Sequence, residues 1–317
     1  MIPTTLAVSR NLSHPPSPIM SMRMAADTMH TEKEVSASSP WILSKAALTK
    51  VLARPEYIMP NDEHENDRLD MHHHLATIML KGRLHVVPLQ ENMPISVLDL
   101  GTGTGIWAIE MGDAYPLADI KGVDLSPIQP TFVPPNVHFE VDDVEENWTY
   151  HRSFDFIHIR FLAAAIADWP KLVGQAYTHL KPGGWVEFKD WDMTLRSPDN
   201  SLHPDSSFAK HHKLLCGACE TVGRTPYVGV HLKEWAEVAG FINVQEEIIP
   251  VPIGTWAKDK RLKEIGAWNY VALLEGLEAI TMRPFTAMLK WTAEEVQVLL
   301  AQVRQELKNP KLHTSYT

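Results

Sequence analysis

Cysteine occurs only twice in the 317 residues, at positions 216 and 219. That excludes a disulfide framework and points to a reducing compartment. No apolar run approaches the ~18 residues that a membrane-spanning helix needs. Bases are scarce relative to acids, 29 against 39, and the net charge of −10 argues against the footprint of a nucleic-acid binder. No lysine and arginine cluster resembles a nuclear signal. What remains is ordinary for a globular chain, 44% hydrophobic and 21% charged, and long enough to bury one large core or two modest ones. These bounds predict an intracellular, cytoplasmic protein that engages neither nucleic acid nor membrane.

Residues 1–40 are rich in Ser, Pro, Met and Thr and lack a sustained period, which predicts a disordered tail. Residues 41–317 read as one domain, with N-terminal helices over 41–90, an α/β core over 95–192 and a final segment over 205–317. Asn61-Asp62 after Pro60 suits the cap of a helix reaching about residue 80, with Leu69, His73, Ala76 and Leu80 on one face. The run His72-His73-His74 is not a metal site, because neighbouring helical residues point about 100° apart.

The stretch that organises the chain is Val97-Leu98-Asp99-Leu100-Gly101-Thr102-Gly103-Thr104-Gly105. A short buried strand breaks into a glycine loop and enters a helix, which builds a site at the strand's carboxyl end. A dinucleotide fingerprint would carry a third glycine at position 106, where Ile106 stands, so an NAD-dependent oxidoreductase is disfavoured. About 20 residues on, a second strand ends at Asp124, where a carboxylate accepts from ribose hydroxyls. A third strand runs into Asp142-Asp143-Val144, a fourth spans 154–160, and Leu180-Lys181-Pro182-Gly183-Gly184 turns into a fifth. Further on, 205–238 and 258–308 read as helical, with Thr292 as an N-cap and a strand opening after Gly240. His212, Cys216 and Cys219 share a helix face, but no second half of a metal or redox motif accompanies them, so no metal is expected and both thiols read as packing residues.

These motifs resemble those of class I S-adenosylmethionine-dependent methyltransferases, and more narrowly the fungal LaeA-like family. The narrower resemblance rests on Asp67-Arg68-Leu69-Asp70, His73-His74, Phe139-Glu140-Val141-Asp142-Asp143, Phe156-Ile157-His158-Ile159-Arg160 and Gly254-Thr255-Trp256-Ala257-Lys258-Asp259. It implies an α/β fold: a doubly wound Rossmann-like sheet with a helical N-terminal lid and a helical C-terminal segment. It also implies S-adenosyl-L-methionine as cofactor, with Gly101, Gly103 and Gly105 approaching its methionine end. Asp124 would take its ribose, Asp143 and the Val144 amide its adenine, and Asp99 would order the loop or bind the methionine ammonium of the cofactor. His158 and His73 are the catalytic candidates, and Arg68 and His73 would lid the pocket. The family's terminal antiparallel strand is expected to be missing, because Leu312–Thr317 is too short to supply it, so either the sheet closes differently or the chain is a shortened version. The acceptor is expected between the 61–80 helix, the ends of the fourth and fifth strands with Arg160, and the C-terminal helices, walled by Trp191 and Trp256. The implied function is methylation of a small molecule in fungal secondary metabolism. The alternative is a LaeA-like regulator acting through protein partners in the nucleus.

Overall fold

The computed structural model describes residues 2–10 and 63–316. The expected cap at Asn61-Asp62 and the stretch 11–60 lie outside the described residues. The elements run β1 (Ile2–Ser9), α1 (Glu63–Met79), β2 (Ser96–Leu100), α2 (Ile106–Ala114), β3 (Asp119–Asp124), β4 (Val137–Val141), β5 (Phe154–Arg160) and α3 (Trp169–His179). They continue with β6 (Leu180–Asp192), β7 (Leu195–Arg196), α4 (Ser207–Thr221), α5 (Leu232–Ala239), β8 (Ile242–Ile248), β9 (Val251–Ile253) and α6 (Lys260–Arg283). A π-helical turn (Pro284–Met288), α7 (Ala293–Leu307) and β10 (Thr314–Tyr316) complete the order.

Seven strands hydrogen-bond in the order β4-β3-β2-β5-β6-β1-β8. The five from β4 to β6 are mutually parallel, and their crossovers place α2 on one face and α3 with α5 on the other. Leu98, Leu100, Ile157, Ile159, Val186 and Phe188 meet Trp169, Leu172 and Val173 of α3, while Val97, Ile120 and Phe156 meet Trp107 and Met111 of α2. The strands therefore carry apolar side chains on both faces, as sandwiched parallel strands must. A second sheet, β7-β10-β9, packs with α4, α6 and α7 around Phe208, Leu277 and Phe285. Thr292 closes a capping box with Glu295 at the start of α7, as its position predicts. The helix expected over 205–238 is two helices, parted at Gly223, whose φ is +72°.

The antiparallel slot beside β6 is filled, from the other end of the chain. β1 inserts between β6 and β8 and runs antiparallel to both, pairing Leu6 with Phe188 and Glu246. Leu6 and Val8 are fully buried in the larger core cluster, and Ala7 lies in the smaller one on the opposite face. Residues 2–9 are thus a central strand and not part of a tail. Composition averaged over forty residues hides an eight-residue pattern of this kind. Arg10 anchors the strand's end: its guanidinium donates to the carbonyls of Leu180 (2.6 Å) and Thr178 (3.4 Å), and lies 4.9 Å from the centre of the Tyr177 ring. A cation there also suits the carboxyl terminus of α3. The chain's last residues reach only the small sheet, where Tyr316 pairs with Leu195 and Val251.

If β1 holds two strands together, truncating its core side chain should be costly. Leu6→Ala is expected to lower stability by about 2–5 kcal/mol, the usual range for a buried leucine. Urea denaturation checks this, and an unchanged midpoint would remove β1 from the sheet.

Candidate active site

The glycine loop connects β2 to α2 at the carboxyl edge of the sheet. Gly101 and Gly103 take φ of +66° and +58°, values that L side chains adopt poorly. A Cβ on Gly101 would also come within 2.5 Å of Leu162 Cδ2. Both glycines line one cavity, the main one at this edge of the sheet. Gly105 has a different job: a Cβ there would meet the Phe139 ring at 2.4 Å, and the residue is not on the cavity wall. It serves helix–sheet packing.

Asp124 ends β3 beside this loop. Its Oδ2 accepts from the Gly103 amide (2.8 Å) and its Oδ1 from the Ser126 amide (2.9 Å), leaving capacity on both oxygens for a hydroxyl donor. Burial raises its pKa, opposed by those two amides. Asp124 and Gly101 also border a second cavity, lined by Asp143, Val144, Leu162 and Ala165. The two cavities share Gly101, Asp124, Leu162 and Ala165, so they adjoin. A backbone cradle, a buried carboxylate beside it and a second carboxylate in an adjoining cleft fit the methionine, ribose and adenine parts of S-adenosylmethionine.

Asp99 sits below the loop, off both cavity walls. Its Oδ2 accepts from Thr102 Oγ1 (2.6 Å) and its Oδ1 from His158 Nδ1 (2.7 Å). It orders the loop from within. Burial pushes its carboxyl up to about 6.

The two catalytic candidates do not reach the cavities. His158 is fully buried and stacks on Trp107 at 3.7 Å, its Nδ1 proton committed to Asp99. His73 lies between Arg160, which donates to Nδ1 (2.9 Å), and Glu110, which accepts from Nε2 (3.0 Å). Arginine only donates, so Nδ1 is the bare nitrogen and Nε2 carries the proton. Neither nitrogen is left to take another. Burial first, then the Arg160 charge, pushes its pKa down to about 3. Arg160 is likewise off the cavity walls, and Trp256 lies elsewhere, its indole N–H bonded to the Thr314 carbonyl (3.0 Å).

What does line the main cavity is partly what the sequence indicated and partly new. Arg68 of α1 faces it, as the lid expectation requires, together with Glu65, Leu69 and His72, whereas His73, the other expected lid residue, does not. Trp191 and Met193 close one side, Phe161–Ala165 another, and Leu215, Cys216, Cys219, Ile280 and Pro284 the far end. The thiols are therefore wall residues. Burial pushes them up to about 12 and 11, which keeps both protonated. His72 was legible only through its phase: it stands four residues after Arg68, on the same side of α1.

The raised Asp99 carboxyl has a sign that can be measured. Its folded pKa of about 6 exceeds the ordinary 3.8, so the folded state holds the proton more tightly. Its contribution is fully present below pH 3.8 and is lost as pH rises through about 6. Wild type should therefore gain stability relative to Asp99→Asn as pH falls across that window. Denaturation midpoints of both proteins at pH 7 and pH 4.5 test it, and parallel profiles would refute it.

A methyltransferase domain family matches residues 71–246. The methyltransferase pytC of Aspergillus terreus is 47% identical over 82% of this chain and 80% of its own. The secondary metabolism regulator LAE1 of Cochliobolus heterostrophus is 41% identical over 81% of this chain and 86% of its own. The protein-methionine methyltransferase laeA of Emericella nidulans is 34% identical over 82% of this chain and 70% of its own. With the glycine cradle and the two acids at the sheet's carboxyl edge, these likenesses make the chain an S-adenosylmethionine-dependent methyltransferase, a member of the fungal LaeA-like family.

Proposed function

We propose that the protein methylates a small apolar acceptor in secondary metabolism, working in the cytoplasm. The observation that carries this reading is the junction of the two cavities. The cradle formed by Gly101, Gly103 and Asp124 opens into a chamber walled by Phe161, Trp191, Met193, Leu215, Ile280 and Pro284. An apolar chamber with few polar groups suits a small organic molecule. Phe161 and Trp191 stack at 4.8 Å and 16°, presenting a flat aromatic wall.

S-adenosylmethionine, when bound, supplies an electrophilic methyl group on a sulfonium centre. Asp143 and Val144 would hold its adenine, Asp124 its ribose hydroxyls, and the Gly101 and Gly103 backbone its amino-acid end. The chain's own contribution to rate is then alignment of the acceptor in a chamber that excludes water. Asp99 and His158 support that alignment from behind the glycine loop, and His73 fixes α1 to β5 and α2.

A second reading draws on LAE1, named a secondary metabolism regulator, and laeA, named a protein-methionine methyltransferase. There the acceptor would be a protein and the site of action the nucleus.

Asp124→Ala is expected to weaken S-adenosylmethionine binding by roughly 1.5–3 kcal/mol, the scale of hydrogen bonds to a charged acceptor. Calorimetry gives the answer, and unchanged affinity would remove Asp124 from the site. Incubation with methyl-labelled S-adenosylmethionine and a fungal metabolite extract, in parallel with a protein lysate, separates the two readings. Label in the organic fraction supports the small-molecule reading, and label confined to protein overturns it.

A further inference from the structure

Six titratable side chains line the main cavity among the described residues: Glu65, Arg68, His72, Asp124, Cys216 and Cys219. Asp124 belongs to the cofactor end. Glu65 and Arg68 answer each other, with Nε donating to Oε2 (2.7 Å) and a terminal nitrogen to Oε1 (2.5 Å). The thiols stay protonated. His72 remains, and its geometry is unusual.

One guanidinium nitrogen of Arg68 lies 3.3 Å from His72 Nδ1 and 3.4 Å from Nε2. No point in the imidazole plane is that close to both nitrogens without overlapping ring carbon. The guanidinium therefore sits over the ring's face, and neither edge nitrogen receives an in-plane hydrogen bond from it. Phe161 and Trp191 flank the same ring edge-on, with centroids at 5.8 and 5.9 Å. Burial, with the charges of Arg68 and Arg160, holds the ring neutral. A neutral imidazole offers one N–H and one bare nitrogen. His72 thus offers the acceptor chamber a donor and an acceptor at its aromatic wall.

We propose that His72 is the specificity-determining residue of the acceptor pocket, hydrogen-bonding an uncharged hydroxyl on a flat ring, a phenol or enol. This rests on the small-molecule reading above. Charge selects the class. A carboxylate would meet a guanidinium already engaged by Glu65, and a protonated amine would meet a Glu65 carboxylate already engaged by Arg68, so either charge would be desolvated without a free partner there. A neutral hydroxyl satisfies the imidazole and brings its ring against Phe161 and Trp191.

The probes are 2-naphthol and 2-methylnaphthalene, which differ in the hydroxyl, titrated into the full chain saturated with S-adenosylhomocysteine. Wild type is expected to prefer the naphthol by about three- to tenfold, the net value of one buried hydrogen bond. His72→Met should abolish the preference while keeping affinity for the hydrocarbon and for S-adenosylhomocysteine. His72→Gln, which retains a donor and an acceptor, should restore most of it. In wild type, the imidazole nitrogen shifts of His72 should move with 2-naphthol and not with 2-methylnaphthalene, a readout independent of any variant's folding. A preference unchanged in His72→Met, or imidazole shifts indifferent to the hydroxyl, overturns the assignment and leaves the pocket reading standing. Failure of both compounds to bind a chain that binds S-adenosylhomocysteine overturns the pocket reading and this assignment with it.

Discussion

The Asp190 carboxylate is the constraint on which the site depends. It is buried at the carboxyl end of β6, where its Oδ1 accepts from the amides of Ala163 (3.0 Å) and Trp191 (2.7 Å) and its Oδ2 from Leu162 (2.7 Å). Those bonds hold the turn after β5 in a conformation it would not keep alone. Phe161 and Ala164 take φ of +57° and +61°, and a bulky residue there is strained. Burial pushes the Asp190 carboxyl up to about 7, opposed by the three amides that favour its anion. The turn it secures carries Leu162 and Ala165, two of the four residues common to both cavities. A single carboxylate thereby sets the boundary between cofactor cleft and acceptor chamber.

Beneath the turn, one face of the sheet carries a buried polar row. Register places Asp99 opposite His158, His158 opposite Glu187, Arg160 opposite Lys189, and Lys189 opposite Thr5 of β1. Glu187 and Lys189 form a fully buried ion pair at 3.3 Å, and the other Glu187 oxygen accepts from the Val86 amide (2.7 Å). Such pairs contribute little net stability, but removing one partner is costly, because a buried charge is left uncompensated. The row begins with the Asp99–His158 pair below the glycine loop, and at its other end Arg160 donates to His73 of α1.

Most of the α/β core was legible because parallel strands, glycine turns and terminal acids carry local signatures. The helix expected near 61–80 is observed over Glu63–Met79, and Asp124 and Asp143 stand at their strand ends beside the glycine turn. The antiparallel slot was legible only as a gap. Which segment fills a slot is decided by edge hydrogen bonds and burial between residues about 180 positions apart, and no local period reports that. His158 and Arg160 share a strand motif with the core, yet both turn onto the covered face of β5. Alternation gave the two faces, and only the third dimension says which is roofed. Trp256 failed as a wall residue for a similar reason: its sequence motif marks the small sheet, not the acceptor chamber.

The three adjacent histidines of α1 show how one helix divides its neighbours. Rotated about 100° from one to the next, they meet three different surfaces. His73 turns to β5 and α2, bridging Arg160 and Glu110, and His74 meets Trp268 of α6 edge-on at 4.5 Å. Contacts on both flanks fix the rotation of α1 about its own axis. That rotation leaves His72 at the chamber, between Phe161 and Trp191 with Arg68 over its face. The same scaffold that withholds His73 from chemistry therefore aims its neighbour at the acceptor. Position in the helical turn, more than residue type, separates the histidine at the chamber from the two that dock α1 against β5, α2 and α6.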